Sequence, residues 1–274
     1  MIKSDTRPEL GDARTELVIA HPGHELRLFT LLQALKPRVW ILTTGAKQAS
    51  DRRRIDAAAD TLLHCGAHQG SVFGAALDAT AYSEILAGRT GLFEHWADQL
   101  RDAFVARAPA RVIVDGWQLY SPVHDLAHLL GRVAAAEAGR VLGCAIDCLQ
   151  FQVVSADAAP LYPRWPAVHA VHLSDTTLAD KVAAARLYPG LDQELAEAMS
   201  DDCAEMRVEA LCPPPPLHAL APPEGRRATY EHIAEERVAR GVYAEALRWR
   251  HFDVVRTALL RRIAPVREEL TAEV

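Results

Sequence analysis

With 274 residues, half of them hydrophobic, and a net charge of −6, the chain is long and apolar enough to bury a sizeable core. The acidic balance, with no basic block beyond Arg52-Arg53-Arg54, argues against a nucleic-acid partner, and no apolar run approaches membrane-spanning length. The opening Met1-Ile2-Lys3-Ser4-Asp5 has no apolar signal region. The five cysteines (Cys65, Cys144, Cys148, Cys203 and Cys212) are odd in number and unevenly spaced, as reduced thiols are, so the expected compartment is the cytoplasm.

The first strand is expected over 15–20, where the apolar run Leu17-Val18-Ile19-Ala20 halts at His21-Pro22. Proline ends the ladder because it has no N–H, Gly23 permits a tight turn, and 24–35 then reads as a helix. His21 and His24 therefore stand on a strand–helix elbow, at the strand edge where open α/β sheets place their sites, and two histidines there suggest a metal. A strand over 38–43 leads to a helix over 50–64 that carries Arg53 and stops at Cys65-Gly66; a short strand follows over 71–73, with a helix over 91–107. His64 and His68 are separated by the helix-breaking Gly66 and read as surface residues.

The next strand, 110–115, ends on Asp115. Ser121 is then an N-cap and Pro122 a favoured first helical residue, so a helix over 122–138 puts His124 and His128 one turn apart on one face. His-x3-His on a helix suits two zinc ligands, or one ligand beside a group that polarises substrate. Strands are expected over 141–154, with Cys144 and Cys148 on one face, and over 168–174; helices are expected over 176–187, 191–200, 228–239 and 252–262. The prolines at 213–216 and 222–223 bracket a segment that is a linker or a surface arm. Together these elements give an α/β chain: a Rossmann-like, mostly parallel sheet flanked by helices, forming one domain with a core at 15–175 and a C-terminal helical elaboration over 176–274. The arginine- and aromatic-rich block around Arg248-Trp249-Arg250-His251-Phe252 suits closure over a sugar or the contact of a homo-oligomer, with His251 a surface or interface residue by default.

Ala20-His21-Pro22-Gly23-His24-Glu25 resembles the Ala-His-Pro-Asp-Asp-Glu signature of the PIG-L-type (N-acetylglucosaminyl deacetylase-like) zinc hydrolases, and the His124–His128 segment resembles their later His-Pro-Asp-His signature. Between them, Arg53-Arg54-Ile55-Asp56 is similar to the family's Arg-x-x-Glu helix, and Val72-Phe73-Gly74 with Asp78 to its third strand and acidic loop. The resemblance runs in order over residues 15–135 and more loosely over 175–260. It implies a zinc cofactor with His21 as first ligand, His24 in place of a ligand carboxylate, and His128 as last ligand. It further implies His124 as the group that stabilises the tetrahedral intermediate. The run Arg52-Arg53-Arg54 lies in a helical pattern and reads as a solvated face with one substrate contact, Arg53. Gly23 stands where the family keeps its general base.

An imidazole in place of a carboxylate raises the charge of the site by one unit, which zinc tolerates, and leaves a proton shuttle to be supplied. Asp115, at a strand end, is a base or a fourth ligand and is the favoured shuttle over Glu25. Asp125 either orients His124 or is a first-turn acid favoured by the helix dipole. The reading that follows is a zinc-dependent amidohydrolase that removes an N-acetyl or related N-acyl group from an amino sugar or similar small-molecule substrate. The alternatives are a metal-dependent hydrolase of an ester or another C–N bond, and a non-catalytic binding or scaffold homologue.

Overall fold

The computed structural model describes residues 10, 13–162, 165–191, 193, 195–196, 199 and 206–264. Strands β1 (Thr15–Ile19), β2 (Arg38–Thr43), β3 (His68–Ala76), β4 (Arg111–Asp115) and β5 (Asp147–Phe151) form one sheet in the order β3-β2-β1-β4-β5, every neighbouring pair parallel. Helices α1 (Phe29–Leu35), α2 (Arg53–Cys65), α3 (Asp78–Leu86), α4 (Gly91–Arg107), α5 (Pro122–Leu142) and α6 (Asp175–Ala185) connect or follow these strands. A second, antiparallel pair, β6 (His169–His172) and β7 (Val208–Leu211), precedes α7 (Thr229–Ala239) and α8 (Trp249–Arg261). The mostly parallel α/β sheet expected from the sequence is present.

Strand alternation sorts the core into two layers, because successive side chains leave a strand on opposite faces. Val18, Leu42, Val112 and Val114 pack on one face with residues of α4, α5 and α8, whereas Leu17, Ile19, Val39 and Ile41 pack on the other with α1 and α2. Helix α5 lies close on the sheet at Gly131, where a Cβ would come within 2.5 Å of Val114 Cγ1. The order of strands reverses between β1 and β4, so the crevice beyond their C-terminal ends is the switch point at which open α/β sheets hold ligands. His21 follows β1 and Asp115 ends β4, so both stand at that edge of the sheet.

Several elements differ from expectation. The helix expected from residue 24 begins as a 3-10 turn, His24–Leu28. Helix α5 continues to Leu142 and is capped by Gly143 in the left-handed region (φ 68°), so β5 starts only at Asp147; Cys144 is exposed after the helix instead of sharing a strand face with Cys148. Strand β3 is longer than its apolar centre, and α3 and β7 were not expected. The helix over 191–200 falls largely outside the described residues, as does Cys203. The proline-rich segment is fastened rather than free: Leu220 is fully buried, and the backbone N–H of Cys212 donates to the Gln150 carbonyl at 2.8 Å. No described helix is long and apolar enough to cross a membrane.

Candidate metal centre

The elbow after β1 is set by Gly23, whose φ of 108° lies where only glycine is comfortable. A Cβ there would meet Leu191 Cδ1 at 2.9 Å and Arg54 Nη2 at 3.7 Å, so the space a side chain would use at this position is taken. The Gly23 N–H donates to Glu25 Oε2 at 2.7 Å and Tyr188 OH donates to Glu25 Oε1 at 2.5 Å. Glu25 is buried, its carboxyl pushed up by burial, and it pins the elbow from beneath.

The turn brings His21 and His24 to His124, at the start of α5. One ring nitrogen from each lies within 4.8 Å of the others, and the ring centroids are 5.2, 5.1 and 4.5 Å apart with the planes steeply inclined. His21 Nδ1 sits 2.8 Å from Asp78 Oδ1 and 2.7 Å from Thr43 Oγ1; His24 Nδ1 sits 2.8 Å from Asp115 Oδ2. A carboxylate behind an imidazole fixes its tautomer and turns the other nitrogen outward as a ligand. Asp115 Oδ2 also accepts the Ala20 N–H at 2.8 Å, tying the ends of β1 and β4 together. Burial, and then the neighbouring histidines, lower the pKa values of His24 and His124, which favours the neutral imidazole that binds metal. His124 Nδ1 is buried without a hydrogen-bond partner among the described residues. Three imidazoles, His21 and His24 backed by carboxylates and His124 with its Nδ1 unpartnered among the described residues, fit zinc, which takes nitrogen ligands in a three-histidine set.

The sequence-predicted residues separate here. His21, His24, His124 and Asp115 come together, but Asp115 is fully buried behind His24, off the cavity that the histidines line. His128 does not join them: its Nδ1 donates to the Asp115 carbonyl at 2.8 Å, its Nε2 faces Arg132 Nη1 at 3.2 Å, and its ring packs on Trp117. The cause is helical rise. Helix α5 begins level with the crevice, so one turn carries His128 roughly 6 Å deeper along the sheet.

Arg53 is also displaced. It is exposed and paired with Asp51 at 2.8 Å, whereas its neighbour Arg54 lines the cavity, Nη2 donating to the Pro22 carbonyl at 3.0 Å and Nη1 to the Gly45 carbonyl at 3.2 Å. Asp125 does not orient His124; its Oδ1 accepts the Gln118 and Leu119 N–H groups at 3.2 Å each and holds Leu119 at φ 53°. His251 accepts the Arg248 N–H at the start of α8. Thr43, Asp78, Arg54 and Tyr120 were not singled out as site residues. Thr43 and Asp78 had a readable signal, since one closes β2 and the other follows β3, at the same sheet edge as His21.

The histidines open onto a cavity of about 320 Å³, whose lining includes Arg54, Tyr120 and an apolar wall. No protein-family model and no curated protein matches the sequence. Among solved structures, the conserved protein TT1542 from Thermus thermophilus superposes with a TM-score of 0.50 at 15% identity, over 74% of this chain and 95% of that one. The chain shares that protein's fold. The zinc-inhibited form of the teicoplanin deacetylase Orf2 gives a TM-score of 0.44 at 11% identity, over 83% of this chain and 94% of that one. The A40926 pseudoaglycone deacetylase Dbv21 gives 0.42 at 14%, over 74% and 97%.

Proposed function

We propose that this chain is a zinc-dependent amidohydrolase that removes an N-acyl group from a small amine-bearing metabolite, with His21, His24 and His124 as the metal's ligands. The observation that carries the proposal is the convergence of these three imidazoles at the switch point of a parallel sheet, facing a cavity large enough for a small molecule. When bound, zinc would act as a Lewis acid and lower the pKa of water at the site.

The chain's own groups have distinct roles in this reading. Asp78 with Thr43 orients His21, and Asp115 orients His24; Asp115 is thus a positioning residue and not the shuttle its strand-end location suggests. Tyr120, half-buried on the lining with its ring centroid 6.2 Å from that of His124, offers a hydroxyl to the substrate carbonyl. Arg54 offers a guanidinium at the mouth of the elbow. The test is metal content together with release of carboxylate from a panel of N-acyl amines, beginning with N-acetylglucosamine.

The turn at Gly23 favours a second reading. With no base at this position and Leu191 filling the space for one, the centre would bind metal and ligand but cleave a more reactive bond, such as an ester, or none. Turnover of aryl esters but not of amides by the zinc-loaded protein would select it.

A further inference from the structure

The cavity beside the histidines has two unlike ends. Its polar side is His21, His24, His124 and Arg54; its remaining wall is supplied by Leu26, Val153, Val154, Ala185, Leu195 and Met206. Leu26, Val153, Ala185 and Met206 belong to the buried core beneath the sheet, so this wall is continuous with packed hydrocarbon. Lys181 also lines it, but its ammonium is 3.0 Å from Glu209 Oε1, and the residue is 2% exposed. Its charge is thereby neutralised inside the protein, leaving the methylene stem to the cavity. Sugar recognition needs several hydrogen-bonding groups around the ring. Apart from Tyr120 and Arg27, this wall provides hydrocarbon.

We infer that the wall is an acyl-chain chamber, so that the group cleaved from nitrogen is a medium-length aliphatic acyl chain rather than acetyl. The inference rests on the hydrolase reading for the direction of the substrate: the carbonyl lies at the histidines, the chain runs along Val153, Ala185 and Met206, and the amine portion faces the Arg54 side. A small polar acyl group would leave this apolar surface in contact with water, whereas each methylene placed on it gains the free energy of leaving water, about fourfold in affinity per methylene at ~0.8 kcal/mol.

Calorimetric titration of the full-length protein, zinc-loaded and chelator-treated, with butyrate and octanoate reads the chamber without any turnover. Octanoate should bind about 10²-fold more tightly than butyrate, following four added methylenes. Ala185→Phe should abolish that difference by filling the chamber. Val154→Trp, at a half-buried position that tolerates bulk more readily, should do the same if the first variant fails to fold. Equal affinities for the two acids, or a chain-length preference that survives in the folded variants, would overturn the inference. Hydrolysis of N-octanoyl- against N-acetylglucosamine separates it from the reading beneath it. Chain-length-dependent binding without turnover of any N-acyl amine supports the chamber and removes the hydrolase; turnover without chain-length dependence keeps the hydrolase and removes the chamber.

Discussion

Asp115→Asn probes the joint between the fold and the proposed metal centre. In the wild type, a single oxygen, Oδ2, takes both the Ala20 N–H and the His24 Nδ1–H at 2.8 Å, while Oδ1 is buried with no partner among the described residues. An asparagine that keeps its carbonyl oxygen at the Oδ2 position retains both contacts but buries an amide NH2 where Oδ1 stood, a donor with no acceptor, at a cost of about 1–3 kcal/mol. The flipped amide is worse, because its NH2 would face two N–H donors. The neutral amide also stops enriching the imidazole with electron density, and loss of such a supporting group weakens metal binding by roughly 10–100-fold. Zinc competition against a chromophoric chelator, with thermal unfolding of the metal-free protein in parallel, measures the two terms separately. Wild-type zinc affinity in Asp115→Asn would refute the positioning role. Complete loss of zinc from a folded variant would make Asp115 a ligand.

Other outcomes follow from the same geometry. Gly23→Asp should not supply a catalytic base: a non-glycine residue at φ 108° that also meets Leu191 should cost about 1–3 kcal/mol, read as a lowered Tm, and adding Leu191→Ala should recover only the contact part. Arg54→Ala should raise KM or lower kcat/KM, whereas Arg53→Ala, which removes an exposed pair with Asp51, should leave kcat/KM within about twofold; the reverse order would restore Arg53 to the site. Lys181→Ala should destabilise by roughly 3 kcal/mol because it strands the buried Glu209, although the Thr30 and Leu31 N–H groups at 3.0–3.1 Å still support that carboxylate; urea unfolding measures it, and a loss near zero would show the pair to be dispensable.

The strand–helix alternation of the first half was legible because its strands are short apolar runs that stop at residues unable to continue them, such as Pro22. Helix α3 was not, since only Ala81 and Ile85 are buried on it and the residues between give little periodicity. Strand β5 was misplaced because Val141 and Leu142 prolong an apolar pattern that suits either a strand or the last turn of α5, and the glycine cap decides between them. In the centre, the elbow histidines could be read from local spacing. His124 and His128 could not be told apart by helical periodicity, because both fall on one face; distance along the helix separates them. Adjacent arginines posed the same difficulty, since the residue that faces the cavity depends on the phase of α2, which the pattern near its N-terminus does not fix.

The ligand assignment is tested most directly by the zinc content of four variants after chelation, zinc reloading and gel filtration, with thermal unfolding confirming that each is folded. Wild type and His128→Ala should retain about one zinc per chain, and His21→Ala, His24→Ala and His124→Ala should lose it, as expected when one ligand of a three-histidine site is removed. Zinc retained by His124→Ala and lost from a folded His128→Ala would contradict the centre described here.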